Sequence, residues 1–433
     1  MSGRKNQKSN KEERMKKIVV IMLALCLAVP AISHAGAVTS RWDLNVGGNI
    51  KFDTGWLDYN ASNVTAGGLP ARVAIPEAQS TKYGQQIWGM HQTGLNFAVR
   101  GPDAWGAKTS AFFSGDFISF FGGEAAPPGT GGFGLMLAQM TFDWPNTSLL
   151  IGQVGPIFGY YPTWTESIGW SSLGWGGKGA APVMPQFTVT QKVGPNFRVM
   201  FGIASGDQFV QKGGAFSKIE NLRADIPVFQ GGVNWSSDAC GKIGPWMLNF
   251  GVDAAWGQNK YVKEVSNTGS EKDVDKWWAE VKWLVPIIPE KNGNKAGALY
   301  YGGQLWTAQN MGDFYGGGGN AQVGAYQRAD GDYKAAVVAG TFNHVAYYIT
   351  DSVSINAMYY YLHAKNSRKF ASGNLSAVDY TYGYLANLAY WVNPAIKFVF
   401  QWNQESSRFI ADSPAYKKRA SHNDYRFSAM YYF

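Results

Sequence analysis

The chain has 433 residues, only 16% of them charged, 15% aromatic, and 53 of them glycine; ordinary soluble domains carry about 25% charged residues. Its apolar mass rules out a disordered chain, and two cysteines rule out a disulfide scaffold. Only one segment approaches the roughly 18 apolar residues of a spanning helix, so a helical membrane protein is excluded and a large β protein remains.

That segment lies at the N-terminus. Lys16 and Lys17 precede the apolar run Ile18–Val29, Pro30 breaks it, and Ser33-His34-Ala35 supplies small residues at −3 and −1. This is the pattern of a secretory signal cleaved after Ala35, with Met15 an alternative start or residues 1–14 a longer n-region. A run of 12 residues rises about 18 Å as a helix, short of the ~30 Å hydrocarbon layer. Leu25 before Cys26 argues against a lipoprotein anchor. Cleavage removes seven Lys/Arg and two Glu, so the formal charge falls from +8 to +3. The basic balance then no longer points to nucleic acid. Cys26 leaves with the signal and Cys240 stands alone.

From residue 36 onward, alternation with period two dominates. Over Arg41–Asp53, Trp42, Leu44, Val46, Gly48, Ile50 and Phe52 share one face. Asp43, Asn45, Asn49, Lys51 and Asp53 share the other. The same stripe recurs with Arg100, Lys108, Asp116, Arg198, Asp253, Glu280, Lys282, Lys397 and Glu405 on the polar side. Such runs exceed the 5–6 residues usual for a soluble strand and suit a tilted membrane-crossing strand of about 9–11. Alternation is weak over 133–154, 224–235 and 334–349, and residues 379–391 have aromatics on both faces.

Short turn-like connections, such as Gly101-Pro102-Asp103, Gly194-Pro195-Asn196 and Val392-Asn393-Pro394, alternate with long Gly-, Asn- and charge-rich ones. The segments 236–245 and 286–297 read as long turns on the short side. About sixteen strands are expected, forming an all-β, transmembrane, antiparallel up-and-down barrel over 36–433. The first stripe begins within ten residues of the cleavage site, which leaves no room for a plug domain.

Enzyme and metal signals are weak. Gly174-Trp-Gly176-Gly-Lys-Gly179 matches GxGxxG without a strand–helix context, and Asp330-Gly-Asp332 lacks the rest of a calcium loop. His91, His344, His363 and His422 are scattered, with no zinc spacing. No cofactor or metal is expected, and no enzyme activity.

The chain ends in Tyr425-Arg-Phe427-Ser-Ala429-Met-Tyr431-Tyr-Phe433, which resembles the terminal-strand signal read by the barrel-insertion machinery of outer membranes. With the N-terminal signal and the stripes, the chain resembles Gram-negative outer-membrane porins. Ala138–Gln153 is similar to the porin hairpin that leads into a long third loop. The resemblance implies that this loop, about Val154–Pro185, folds into the barrel and narrows it. It would present Tyr160, Tyr161, Trp164, Glu166, Trp170, Trp175 and Lys178, with Glu166 the one acidic residue where charged-eyelet porins carry several. Its aromatics, Phe158 included, either stack sugars or pack the loop on the wall.

The chain is therefore expected to be an outer-membrane porin: a water-filled diffusion channel for small hydrophilic solutes and ions, lined by the ten charged residues of the polar stripes. The resemblance also implies a homotrimer in contact with outer-membrane lipid and lipopolysaccharide. Two alternatives stay open. One is a barrel sheathing a periplasmic or electron-transfer partner, although no Cys-x-x-Cys-His haem motif is present. The other is a barrel-embedded enzyme, with His363 and His422 as suspects, or an adhesin.

Overall fold

The structure, a computed structural model, describes residues 43–58, 85–90, 93–117, 133–159, 183–205, 222–223, 226–262, 271–311, 325–327, 333–365, 378–409 and 419–433. Within them, eighteen strand segments join one antiparallel sheet. Two wall positions are each built from two segments, so the wall has sixteen strands.

These are β1 (Asp43–Leu57), β2 (Gln85–Gly89 continued by Gly94–Arg100), β3 (Lys108–Asp116), β4 (Gly134–Asp143), β5 (Thr147–Val154) and β6 (Met184–Val193). Next come β7 (Phe197–Ala204), β8 (Val228–Ile243, preceded by Leu222–Arg223), β9 (Trp246–Val262), β10 (Glu271–Ile288) and β11 (Leu299–Gln309). The last are β12 (Val337–Tyr348), β13 (Val353–Ala364), β14 (Val378–Asn393), β15 (Ile396–Phe409) and β16 (Arg419–Tyr432). Each strand pairs with its sequence neighbour, and β16 returns to β1 in the register Asn49↔Tyr432 to Leu57↔Asp424. Closure leaves no edge strand and satisfies the backbone internally, the condition for a sheet in hydrocarbon.

Alternation decides which way the side chains point. Leu44, Val46, Ile50, Phe187, Val189, Phe201, Val252, Val281, Leu305 and Phe400 are exposed on the outside. Lys51, Gln186, Asp253, Lys282, Gln304, Asn356, Gln401 and Arg426 are buried on the inside. A soluble protein would invert this arrangement; a membrane barrel requires it. The 17 residues of β9, at about 3.4 Å each and tilted near 45°, rise about 40 Å, more than the ~25 Å apolar band.

The turns at one end are tight. Asn292 and Gly293 have φ of 54° and 78°, the left-handed pair of a type I′ hairpin turn. Asn393 Oδ1 accepts from the amides of Ala395 and Ile396 at 2.8 and 2.9 Å, an Asx turn that reverses β14 into β15. The expected turn over 236–245 is not one. β8 runs on to Ile243 through a bulge between Ser237 and Lys242, leaving only Gly244 and Pro245 as the turn. Residues 289–298 are a genuine longer connection. A short hairpin, Ala325–Gln327 with Tyr333–Ala335, sits in the connection from β11 to β12.

Candidate channel lumen

The inner wall is built from residues that the pleat turns away from lipid. On β10, Lys276, Trp278, Glu280, Lys282 and Leu284 all point inward and are buried. β9 meets them with Gly257 opposite Lys276, Ala255 opposite Trp278, Asp253 opposite Glu280 and Gly251 opposite Lys282. The small residues make room: a Cβ on Gly251 would lie 2.8 Å from Lys282 Cε. Lys282 therefore lies back across β9 and pairs with Asp253, with Glu280 Oε1 at 3.6 Å on its other side.

Glu280 is the hub of this wall. Its Oε2 accepts from Trp278 Nε1 at 3.0 Å and from Gln304 Nε2 at 2.8 Å. Its Oε1 accepts from the Gly159 amide at 3.0 Å. Gly159 belongs to the segment that follows β5, so the first residues of the third long loop lie inside the barrel. Gln186 Nε2 holds the carbonyls of Val154 and Gly155 at 2.9 and 2.8 Å. Gln230 Oε1 accepts from the Ile157 amide at 2.7 Å, and its Nε2 donates to Gln186 Oε1 at 2.6 Å. Phe158, fully buried, packs on Trp278 at 5.6 Å, and Trp278 stacks on Trp306 at 4.5 Å. Phe158 is therefore wall packing.

On the other side, β1 lies eight strands from β9 in the ring. Here Lys51 pairs with Asp53 at 3.2 Å, and Arg426 Nε donates to both oxygens of Asp424 at 2.8 Å. Lys397 lies over the Trp391 ring at 4.8 Å, a cation–π contact. A ladder of buried side chains leads round the wall to this point. Tyr300 approaches His344, His344 approaches Asn356, and Asn356 Nδ2 donates to Asn387 Oδ1 at 2.8 Å. Gln401 Nε2 donates to Asn403 Oδ1 at 3.0 Å and Asn403 Nδ2 to Asp424 Oδ2 at 3.1 Å. Asn387 Nδ2 joins the two halves, donating to Gln401 Oε1 at 3.4 Å.

Of the ten charged residues expected to face inward, Lys51, Asp116, Asp253, Glu280, Lys282, Lys397 and Glu405 lie buried on the inner face. Arg100, Lys108 and Arg198 share that face by register, opposite Asp43, Asp143 and Lys192 respectively, but are solvent-exposed at the short-turn end. Asp253, Glu280 and Lys282 come together; Lys51 and Lys397 face the same stretch of β16; the other five stand apart. Tyr160, Tyr161, Trp164, Glu166, Trp170, Trp175 and Lys178 lie outside the described residues. His363, one of the suspected catalytic histidines, is 3.6 Å from Asp379 and beside Tyr361.

The ten charged residues leave out the inward amides Gln186, Gln230, Gln304, Asn356, Asn387, Gln401 and Asn403, and also the charged pair Asp424 and Arg426 of β16. Four of the amides carry a signal in phase: Gln186 with Lys192, Asn387 with Asp379, and Gln401 and Asn403 with Lys397 and Glu405; Gln304 and Asn356 lie on strands without a Lys, Arg, Asp or Glu. Trp278 shares the phase of Lys276, Glu280 and Lys282, but its apolar side chain beside the outward Trp277 hides its inward place from a reading by polarity.

No protein-family model matches the chain, and no curated protein matches its sequence. The fold does match solved structures. The outer membrane channel DcaP of Acinetobacter baumannii aligns with a TM-score of 0.69 at 14% identity over 93% of this chain and 99% of that one. The anion-selective porin of Comamonas acidovorans aligns with a TM-score of 0.53 at 10% identity, covering 91% and 100% of the two chains. OmpT of the Vibrio cholerae outer membrane gives 0.51 at 10% identity, covering 90% and 98%. The chain has the sixteen-strand barrel fold of outer-membrane porins.

Proposed function

We propose that the chain is an outer-membrane porin, a passive water-filled channel for small hydrophilic solutes and ions. The observation that carries this reading is the closed wall with apolar side chains outside and charged and amide side chains inside. A barrel of this strand number leaves an interior wide enough for water. Similarity to an outer membrane channel and to an anion-selective porin supports it.

The water path runs along β1 to β7. Inward residues there, such as Asn49, Ser110, Thr141, Thr190 and Lys192, are partly or fully exposed, whereas most of those on β10 to β16 are buried. Arg100, Lys108 and Arg198 line the short-turn mouth. The buried charges Lys51, Asp116, Asp253, Glu280, Lys282, Lys397 and Glu405 set the field inside. The third loop, held at Gly159, narrows the path, with Tyr160, Tyr161, Trp164, Glu166, Trp170, Trp175 and Lys178 at the constriction.

Residues 1–35 direct export and are removed. The strand ending at Phe433 is read by the insertion machinery, and the barrel works as a homotrimer among lipopolysaccharide and lipid. No bond is made or broken and no cofactor is needed. Planar-bilayer recording of the refolded chain tests this. Stepwise, ohmic channels are expected, smaller than those of a barrel open across its full section. A folded, inserted preparation that carries no current would end the proposal.

A further inference from the structure

Two inward side chains of β16 are left with open hydrogen-bonding positions. Arg426 and Ser428 are 3% and 0% exposed. Arg426 Nη2 and Ser428 Oγ nevertheless have no hydrogen-bond partner among the described residues. Across the β16–β1 pair, Ser428 stands opposite Asp53 and Arg426 opposite Gly55. Asp53 Oδ1 is likewise buried and unpartnered, while its Oδ2 pairs with Lys51. Two open donors and one open acceptor therefore lie on neighbouring positions of one strand pair. Buried polar atoms are nearly always satisfied, so three orphans together ask for a ligand.

The surroundings fit an anion. Lys51 and Lys397 both lie opposite Met430, one from each side. With Arg426 they make three cations against Asp53 and Asp424, one net positive charge. The arginine is also held in place. Asp424 grips its Nε through both oxygens, and the amide ladder fixes Asp424 through Asn403. A Cβ on Gly55 would come 3.1 Å from Arg426 Cγ, so glycine lets the guanidinium lie across β1. A donor fixed before the ligand arrives loses little entropy on binding.

We propose that Arg426, Ser428 and Asp53 form a subsite for a hydroxylated carboxylate. Its carboxylate accepts from Arg426 Nη2 and Ser428 Oγ, and its hydroxyl donates to Asp53 Oδ1, with Lys51 and Lys397 as flanking charges. A simple carboxylate leaves Asp53 Oδ1 unpaired, and a neutral polyol leaves the guanidinium unpaired. A site built to hydrogen-bond a group rejects analogues that lack it. The proposal rests on the channel reading for the solute's route, not for the chemistry of the site.

Calorimetry on the detergent-folded full chain, titrated with gluconate, propionate and sorbitol, tests it. Saturable gluconate binding is expected, with propionate and sorbitol each at least about tenfold weaker. Arg426→Gln removes gluconate binding. Ser428→Ala, which deletes a hydroxyl with no partner among the described residues, weakens it several-fold while heat-modifiable gel migration stays unchanged, and it carries the test if Arg426→Gln does not fold. Equal binding of the three solutes, or gluconate binding untouched by Ser428→Ala, would overturn the subsite. Bilayer recordings separate the two claims. Channels without gluconate preference remove the subsite alone; gluconate binding without channels removes the channel reading and leaves the subsite.

Discussion

Glu280 illustrates what one inward residue does in this barrel. Its carboxylate accepts from Gly159, Trp278 and Gln304, and an ion-pair partner, Lys282, sits beside it. Three donors would be orphaned by its removal, and a buried donor without a partner costs about 1–3 kcal/mol. Glu280→Ala is therefore expected to lower the urea midpoint of the folded band and to release Gly159 from the wall. Single-channel records of this variant should show added current noise from the freed segment. A quiet channel of unchanged stability would mean that the carboxylate does not anchor the loop.

At the scale of the strand, the two faces should respond oppositely to charge. Val252 on β9 points outward and is well exposed. Val252→Arg should cost about 2–4 kcal/mol in the folding equilibrium measured in lipid vesicles. Thr190→Arg, on the inner face of β6, should change it by no more than about 0.5 kcal/mol. Equal costs would contradict the assigned faces.

The end of β16 closes the ring. The Gly48 amide donates to the Phe433 carbonyl at 3.0 Å and the Phe433 amide to the Gly48 carbonyl at 3.2 Å. Deleting Phe433 removes both bonds, each worth about 1 kcal/mol net, and uncovers Gly48. The fraction of heat-modifiable, folded protein should fall; an undiminished fraction would show that closure does not need this residue.

How legible each strand is in the sequence depends on what its inner face meets. β1, β9 and β15 are plain because polar residues face water or charge on one side and apolar residues face lipid on the other. β12 is not: Val338, Phe342, Ala346 and Tyr348 point inward, so both faces are apolar and period two disappears. On β14, Leu385 and Ala389 are buried inside while Tyr384, Leu388 and Tyr390 are exposed outside, and its aromatic stripe is likewise masked. The strand ends are underestimated because β8, β9, β15 and β16 extend beyond the apolar band, where no lipid enforces alternation. Of the candidate lumen, the charges can be read from phase alone. The grouping of Asp253 with Lys282, and of Arg426 with Asp53, depends on register, which the ring closure sets.

At the scale of the whole molecule, the barrel is filled unevenly. Trp278, Trp306, Phe342, Tyr360 and Leu362 form a buried apolar cluster on the inner side of β10 to β13. Ile243, Leu284, Tyr300, Ala346 and Tyr348 form a second one nearer the short turns. Between them runs the amide ladder. This half of the interior is packed like a protein core, and most of the partly or fully exposed inward residues lie on the half walled by β1 to β7. Charge is thus held on two opposite parts of the ring, at Asp253, Glu280 and Lys282 on β9 and β10 and at Lys51, Lys397 and Arg426 on β1, β15 and β16.

The most direct test of this arrangement is charged-thiol labelling during single-channel recording. With Cys240 replaced by serine, cysteines at Ser110 and Thr190 on the inner face, and at Phe113 and Val189 on the outer face, are exposed to a membrane-impermeant methanethiosulfonate. Stepwise loss of current at Ser110 and Thr190, with no reaction at Phe113 and Val189, is the predicted result. Labelling at all four positions without any change in current would contradict it.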